Sequence, residues 1–302
     1  MRTGFSGYAY VALSALCFGT LPILVKIAYG FFPSPLALLS LRLFVAFILI
    51  WMLALTACRS SLAVGWRGLA YFAVVGSLGL GFNSIAYFYG LRLVPASLMA
   101  VLFYTYPVLV NLFSIVFWRE QLTRRRLFTL LSSFTGVLLV TKAYELSAST
   151  VNWKGVALSL TAGTIYAAYT LAVQRGVRKH DPLVVNTYVI TFGYLPILLL
   201  SPPFGWLTGG LEERLFLLVI AMAVVPTVGA ILLYLQGIRS IGAARASLVA
   251  TLEPMASIIM AYAFLGERLE PVQLIGAGFV LVGVFVLSAD AGQLPSLATH
   301  SP

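Results

Sequence analysis

Ten long runs of apolar residues, separated by short polar connectors, limit this chain to folds whose helices are solvated by lipid. The runs cover residues 7–29, 35–57, 68–91, 94–118, 126–142, 153–174, 182–200, 214–238, 242–265 and 271–288. A membrane span needs about 20 mostly apolar residues, and each run comes near that length. The runs do not alternate with a period of two residues, which excludes the strands of a membrane barrel. The sequence therefore predicts an all-α integral membrane protein with ten transmembrane helices.

The scarcity of charge supports the same fold class. Charged residues make up 9% of the chain and apolar residues 61%, whereas an ordinary soluble domain is about 25% charged. The net charge of +10 would suit a nucleic-acid-binding protein, but most Arg and Lys residues lie in the gaps between runs. That pattern is typical of topology signals, so no nucleic-acid partner is expected. The first run is too long for a cleaved signal and lacks a small-x-small exit, which predicts a retained helix.

The distribution of Arg and Lys predicts the orientation of the chain. Connectors on the side of the N-terminus hold Arg2, Arg59, Arg67, Arg119, Arg124, Arg125, Arg126, Arg175, Arg178, Lys179 and Arg239. Connectors on the other side hold Arg92, Lys142, Lys154, Arg214 and Arg268. Because positive residues favour the cytoplasmic side, both termini are expected in the cytoplasm of a cell whose inner membrane the protein spans.

The chain contains an internal repeat. Matching residues at an offset of about 147 positions are Pro35 and Pro182, Tyr87 and Tyr234, Gly90 and Gly237, Arg92 and Arg239, Pro107 and Pro254, Glu120 and Glu267, and Gly136 and Gly283. We expect two five-helix repeats, 7–142 and 153–288, followed by a short tail over 289–302. Five is an odd number, so the second repeat must enter the membrane from the opposite face. Secondary transporters use such inverted repeats to expose one central site to either side; the alternative is a structural repeat without transport.

Several segments carry a resemblance to a known family. They are Phe18-Gly19-Thr20 with Lys26, Leu41-Arg42, Tyr106-Pro107 through Arg119-Glu120, and Leu252-Glu253-Pro254 through Leu265-Gly266-Glu267-Arg268-Leu269. Over residues 7 to 288 the chain resembles the drug/metabolite transporter superfamily, and within it the ten-helix EamA-type permeases of the amino-acid and metabolite exporter branch. The first repeat departs from the pattern, with Trp118-Arg119-Glu120-Gln121 in place of Gly-Glu-Arg. The resemblance implies a central cavity lined by helices 1, 3, 4, 6, 8 and 9, and cargo drawn from amino acids, metabolites and drugs.

Glu253 is the first candidate for a functional residue. It lies about eleven positions into the ninth run, which at about 1.5 Å per residue is near the middle of the bilayer. A carboxyl at that depth is by default a candidate to bind solute or to load and release a proton. The alternative is structural, because Pro254 should free the carbonyl of Ala250 and Glu253 could simply organise the broken helix.

Paired prolines and aromatic residues complete the predicted site. Pro107 and Pro254 occupy the same position in the two repeats, and paired helix breaks of this kind point to the binding site of a transporter; a packing kink is the alternative. The residues predicted to line a cavity for an amphipathic or aromatic solute are Asn83, Tyr87, Phe103, Tyr104, Tyr106, Tyr166, Tyr169 and Tyr234. Any one tyrosine could instead lie at the membrane interface or pack against a neighbouring helix.

Charged residues near the ends of runs are expected at the boundaries of the membrane. Lys26 and Arg42 lie within runs but towards their outer ends, where long side chains can extend to the interface; Lys26 could also bind a carboxylate of the solute. Glu120 and Glu267 are expected to be boundary residues, with gating or cross-helix ion pairs as the alternative.

The sequence lacks the residues that a membrane enzyme or an ATP-driven pump would need. With only two histidines and no metal-ligand spacing, neither a metal nor another cofactor is expected and a membrane enzyme is disfavoured. No Lys follows a Gly, so the phosphate loop of an ATP-driven pump is absent. The sequence thus predicts a secondary transporter, an exporter of amino acids or related metabolites, with proton coupling left open. Multidrug or lipophilic-cation efflux and uncoupled facilitated diffusion are the alternatives, and both monomer and homodimer remain open.

Overall fold

The computed structural model describes residues 2–31, 34–94, 96–118, 121–145, 152–204, 212–265 and 270–288. Within these ranges the chain consists of helices and short connections, and helix covers most of each of the ten apolar runs. The α-helices are α1 (Arg2–Gly19), α2 (Leu21–Tyr29), α3 (Pro35–Ala57), α4 (Gly65–Gly76), α5 (Asn83–Leu93), α6 (Ala96–Phe103), α7 (Tyr106–Trp118), α8 (Arg124–Thr141), α9 (Trp153–Lys179), α10 (Pro182–Leu200), α11 (Glu213–Ala223), α12 (Ala230–Ile241), α13 (Ala243–Val249), α14 (Leu252–Leu265) and α15 (Pro271–Ser288). Glu120, Glu267 and the predicted tail over 289–302 lie outside the described residues.

Seven helical stretches in the described part of the chain are long and apolar enough to cross a membrane. They are Ser6–Tyr29, Pro35–Ala57, Gly65–Gly90, Trp153–Lys179, Pro182–Leu200, Glu213–Ile241 and Ala243–Phe264. Val101–Phe117 and Pro271–Leu287 are shorter apolar helices. The fold is therefore that of a multi-pass helical membrane protein, while the count of ten spans, their alternating directions and the cytoplasmic position of both termini stay predictions.

The helices of the two repeats pack against each other reciprocally. The first helix of the first repeat, α1, packs along α12, which belongs to the third run of the second repeat. In the reciprocal pairing, α9, the first helix of the second repeat, packs along α5 from the third run of the first. The second helices of the repeats, α3 and α10, contact each other, as do the last ones, α8 and α15. A two-fold relation between the repeats predicts this exchange of partners.

Both repeats contain a wide helical turn at the same position. The π-helical segments Ser77–Phe82 and Val224–Gly229 each join two α-helices, and they are separated by the repeat offset of 147 residues. A π turn accommodates one extra residue and loosens the regular pattern of backbone hydrogen bonds. Around the second segment, side chains bind carbonyl oxygens: Thr227 binds that of Met222 at 2.7 Å, Asn186 that of Val228 at 3.1 Å, and Ser14 that of Ala230 at 2.7 Å.

Glycine and small polar residues bring α8 and α15 into close contact. A Cβ atom added to Gly136 would lie 2.6 Å from the carbonyl oxygen of Gly276, and one added to Gly276 would lie 2.8 Å from that of Gly136. Two hydroxyls reinforce the contact, since Thr129 donates to the carbonyl of Gly283 at 2.9 Å and Ser132 to that of Phe279 at 2.6 Å. Small residues and interhelical hydrogen bonds are the usual means of helix association in lipid, where burial of apolar surface gives no driving force.

Candidate functional site

Three helices are interrupted inside the bundle, and a threonine forms each interruption in the same way. Thr20, Thr105 and Thr251 lie between α1 and α2, between α6 and α7, and between α13 and α14. Each binds the carbonyl three residues earlier twice, through its backbone N–H at 3.2–3.4 Å and through its hydroxyl at 2.6–2.7 Å. A hydroxyl that competes for a backbone carbonyl weakens the regular helical pattern. A proline follows each threonine by two or three residues, which is the sequence signal that would have located all three breaks.

The paired prolines lie just after two of these breaks. Pro107 is in the first turn of α7 and Pro254 in the first turn of α14, where a helix needs no N–H donor. The carbonyl of Ala250, expected to be free, accepts a hydrogen bond from the N–H of Glu253 at 3.0 Å. That expectation was wrong because the chain tightens into a turn at the break. Glu253 therefore binds this carbonyl with its backbone and keeps its carboxyl for other contacts.

Asn111, which the sequence analysis did not single out, holds the first break against the second repeat. Its amide nitrogen donates to the carbonyl of Pro107 at 2.8 Å and to that of Ala244 at 3.4 Å. The first contact lies within α7 and the second crosses to α13. An amide four residues after a helix-breaking proline is the sequence signal for such a contact.

The predicted aromatic residues form one continuous cluster between the repeats. Its members are Tyr87 from α5, Phe103 and Tyr104 at the end of α6, Tyr106 from α7, Tyr166 and Tyr169 from α9, and Tyr234 from α12. The ring centroid of Phe103 lies 5.2 Å from that of Tyr87 and 5.3 Å from that of Tyr166. The ring of Tyr106 packs edge-on against that of Tyr166, with 4.8 Å between the ring centroids. We refer to these seven residues as the aromatic cluster.

Glu253 adjoins the aromatic cluster. Its carboxyl lies beside the hydroxyl of Tyr104, and it is close enough to act electrostatically on Tyr87 and Tyr166 as well. Four segments that are distant in sequence thus bring one carboxyl and several phenol hydroxyls together. The hydroxyl of Tyr169 has no hydrogen-bond partner within the ranges that the structure describes, and the hydroxyl of Tyr234 lies near Thr170 and Tyr106. These groups can bind a solute or water.

The aromatic cluster is packed rather than open in this conformation. Tyr106 and Tyr234 are each only 1% exposed, and Phe103, Tyr104 and Tyr169 are also buried. The cavity described next to the break at Tyr104 and Pro107 holds only about 10 Å³. A solute of any size therefore reaches the cluster only after the rings move apart.

Two contacts fix the position of α9 beside the cluster. The side-chain amide of Asn83 donates a hydrogen bond to the carbonyl of Ala162 at 2.6 Å. This predicted lining residue therefore contacts the neighbouring helix α9. Gly79, in the first π turn, lies against Tyr169: an added Cβ would be 2.3 Å from the ring. The ring of Tyr169 can reach the cluster only because residue 79 has no side chain.

The connection from α12 to α13 is held by a side chain from α9. Gly242 has a φ of +81°, a conformation that favours glycine, and the chain reverses there. The side-chain oxygen of Gln174 accepts a hydrogen bond from the N–H of Ala243, the first residue of α13. Gln174 thus caps the helix that leads to the second break.

Arg42 departs from its expected position. We expected its side chain to extend to the membrane interface, but it is only 6% exposed, and two of its nitrogens, Nε and Nη1, have no hydrogen-bond partner among the described residues. Its position on α3 turns it inwards between α2 and α11 because the neighbouring Leu38 and Leu41 pack against both of these helices. The backbone of Lys26 lies in α2, and its side chain is outside the described atoms.

Comparison with known proteins gives the same fold and a family. The model of the EamA-like transporter family matches residues 5–142 and again residues 153–289. An uncharacterized transporter, YcbK, from Bacillus subtilis is 27% identical over 97% of both chains. An uncharacterized transporter from Archaeoglobus fulgidus is 26% identical over 93% of this chain and 95% of its own. A solved crystal structure with 20% identity superposes with a TM-score of 0.78 over 96% of this chain and 99% of that one, a likeness of fold.

Proposed function

Because the chain belongs to the EamA-like transporter family, we propose that this membrane transporter is a secondary exporter of amino acids or related small metabolites that works by alternating access. The observation that carries the proposal is the convergence of two helix breaks, the aromatic cluster and Glu253 between the two repeats. Discontinuous helices near the middle of the membrane are where transporters with repeated halves bind their solutes.

The breaks give the repeats a way to move against each other. At Thr105 and Thr251 the backbone N–H binds the carbonyl three residues earlier at 3.4 Å and shares it with the threonine hydroxyl, so the regular helical pattern is weakened between the segments before and after each break. Phe103 and Tyr106 of the cluster lie on either side of the first break, and Glu253 lies just after the second. Rocking of one repeat against the other separates the rings and opens the cluster to one compartment at a time.

Glu253 is the proposed coupling group. A carboxyl among aromatic side chains, removed from bulk water, carries a proton or binds a cationic group more easily than it stays ionised and alone. Exchange of the proton for the amine of a solute would link export to the proton gradient. The neutral glutamine at this position is expected to keep solute exchange and to lose the effect of the gradient.

Efflux of lipophilic cations is the second candidate, and the composition of the cluster favours it. A cluster of aromatic rings beside one carboxyl can bind a cation through its charge and through the faces of the rings. Binding of that kind requires no carboxylate on the solute. The two candidates therefore differ in which end of an amphipathic amine the protein recognises.

Proteoliposomes containing the purified full chain test both candidates. Labelled amino acids and labelled lipophilic cations are offered with and without a pH gradient, to the wild type and to Glu253→Gln. Glu270→Gln is the matched control, because Glu270 is an exposed carboxyl that pairs with Lys142 at 2.7 Å outside the bundle. We expect gradient-driven accumulation to fall at least about tenfold in Glu253→Gln and to be unchanged in Glu270→Gln, with solute exchange retained in both.

The results of this experiment distinguish loss of proton coupling from loss of transport. Unchanged gradient-driven accumulation in Glu253→Gln would refute the coupling role. Absence of uptake for every amino acid, with uptake of lipophilic cations, would favour the second candidate. A wild type that moves neither class would refute the proposal.

A further inference from the structure

Arg42 is a buried cation outside the aromatic cluster, and the proposed mechanism does not use it. It lies seven residues after the start of α3, about 10 Å along the helix from that end. Buried apolar residues surround this part of α3: Val25 and Ala28 from α2, Leu38 and Leu41 from α3, and Leu215, Val219 and Met222 from α11. Arg42 therefore lies within an apolar interface of three helices.

The guanidinium has no counter-charge among the described residues. None of the ion pairs found there includes Arg42, and its Nε and Nη1 atoms bind no acceptor. The phenol of Tyr29 is the neighbour that acts on it electrostatically, and a phenol carries no charge at neutral pH. A buried cation without an anion is strongly unfavourable, so an arginine in this place calls for an anionic partner.

We propose that Arg42 binds the carboxylate of the transported solute and so selects carboxylate-bearing solutes over amines that lack one. This inference rests on the proposed function and chooses between its two candidates. A single cation in an apolar pocket is neutralised by one monoanion, whereas a phosphate dianion would leave a net negative charge buried. Arginine also matches the planar, two-oxygen geometry of a carboxylate better than a spherical ion.

The break at Thr20 gives the carboxylate access to Arg42. Gly19, at the end of α1, packs against α14, where an added Cβ would lie 2.7 Å from Ala256. The segment beyond the break, α2, carries Val25 and Tyr29 and packs beside Arg42. The hydroxyl and the N–H of Thr20 both bind the carbonyl of Cys17, which makes Thr20 the point about which α2 would move relative to α1. The same α14 carries Glu253 in its first turn, three residues before Ala256, so the contact with Gly19 lies about one helical turn from Glu253.

Binding of matched solutes to the purified full chain tests the assignment without requiring transport. L-phenylalanine and its methyl ester share the ring and the amine, and only the acid has a carboxylate. Ligand binding to the folded state raises the midpoint of thermal unfolding in detergent, from which affinities follow. The variants are Arg42→Gln and Arg42→Lys, with Arg214→Gln as the control because Arg214 is an exposed arginine in the first turn of α11.

We expect the wild type and Arg214→Gln to prefer the acid over the ester by about tenfold or more, as for hydrogen bonds to a charged group. Arg42→Gln should bind both with equal, weak affinity, and Arg42→Lys should restore part of the preference. Without ligand, Arg42→Gln should unfold at the same temperature as the wild type or higher, because an uncompensated buried charge has been removed.

Three results would overturn the inference. The first is an undiminished preference for the acid in Arg42→Gln. The second is stabilisation of the wild type by chloride alone that matches the effect of the acid, which would make the site a halide site. The third is a ligand-free Arg42→Gln that is less stable than the wild type, since Arg42 would then have a structural partner. A wild type that prefers the acid but transports no solute would support the site and refute the proposed function.

Discussion

Replacing Gly276 by alanine tests whether the contact between α8 and α15 depends on the absence of a side chain. The added Cβ would lie 2.8 Å from the carbonyl oxygen of Gly136 and 2.8 Å from the backbone nitrogen of Val140. Both atoms belong to the backbone of α8, so no change of rotamer relieves the overlap. Gly278 is the matched control, because the same helix leaves open space within 4 Å of a Cβ at that position.

The size of the effect follows from these distances. Ordinary contacts of a Cβ begin at 3.4 Å, so the two helices must separate by about 0.6 Å, and the hydrogen bond from Ser132 to Phe279, now 2.6 Å, lengthens with them. Overpacking of this kind costs about 1–3 kcal/mol. Gly278→Ala should be neutral or up to about 1 kcal/mol stabilising, since alanine favours a helix more than glycine does.

Unfolding of the purified chain in mixed micelles, by titration with a denaturing detergent, measures the difference. We expect the free energy of unfolding of Gly276→Ala to lie about 1–3 kcal/mol below that of Gly278→Ala, because the gain in helix propensity is common to both variants, and its midpoint of thermal unfolding to be several degrees lower. Equal stability of the two variants would refute the view that backbone contact at Gly276 holds this helix pair together.

Two further substitutions test contacts near the site. Gly242→Ala should cost about 1–3 kcal/mol of stability through its backbone conformation alone, with φ +81° and ψ 159°, because the nearest atom to an added Cβ is the side-chain oxygen of Gln174 at 3.6 Å. Mixed-micelle unfolding measures the loss, and a loss below about 0.3 kcal/mol would contradict the strain argument. Gly79→Ala should displace the ring of Tyr169 and lower the affinity for aromatic solutes by about tenfold, as an overpacked core does. Combination with Tyr169→Ala should remove most of the stability loss of Gly79→Ala, and additive losses in the double variant would argue against the contact.

The sequence predicted the helical class of the fold and named the aromatic residues that lie together near the breaks. Long apolar runs leave a chain in lipid no alternative to helix, which is why helix covers each predicted run. The offset of 147 residues correctly paired Pro107 with Pro254, since both follow a helix break. The aromatic cluster was assembled from residues chosen for their nearness to those breaks, and their contact with Glu253 follows from the packing of α9 and α12 against them.

What the sequence did not reveal depends on how neighbouring helices are rotated and spaced. Whether Arg42 extends to the interface or turns inwards is decided by the packing of Leu38 and Leu41, and hydropathy does not encode it. The two π turns lie at matched positions although their residues differ, with Gly79 and Gly81 in the first and Pro226 in the second. The hydrogen bond from Asn83 to Ala162 likewise requires the register of α5 against α9.

The break at Thr20 has no counterpart in the second repeat, where α9 runs without interruption from Trp153 to Lys179. The first repeat thus begins with two helices, α1 and α2, that meet at Thr20, and the second repeat begins with one continuous helix, α9. If the halves were identical, symmetry would require the two end states of the cycle to have equal free energy. In the proposed alternating-access cycle this chain would lack that degeneracy, and one of the two end states would be the preferred resting state.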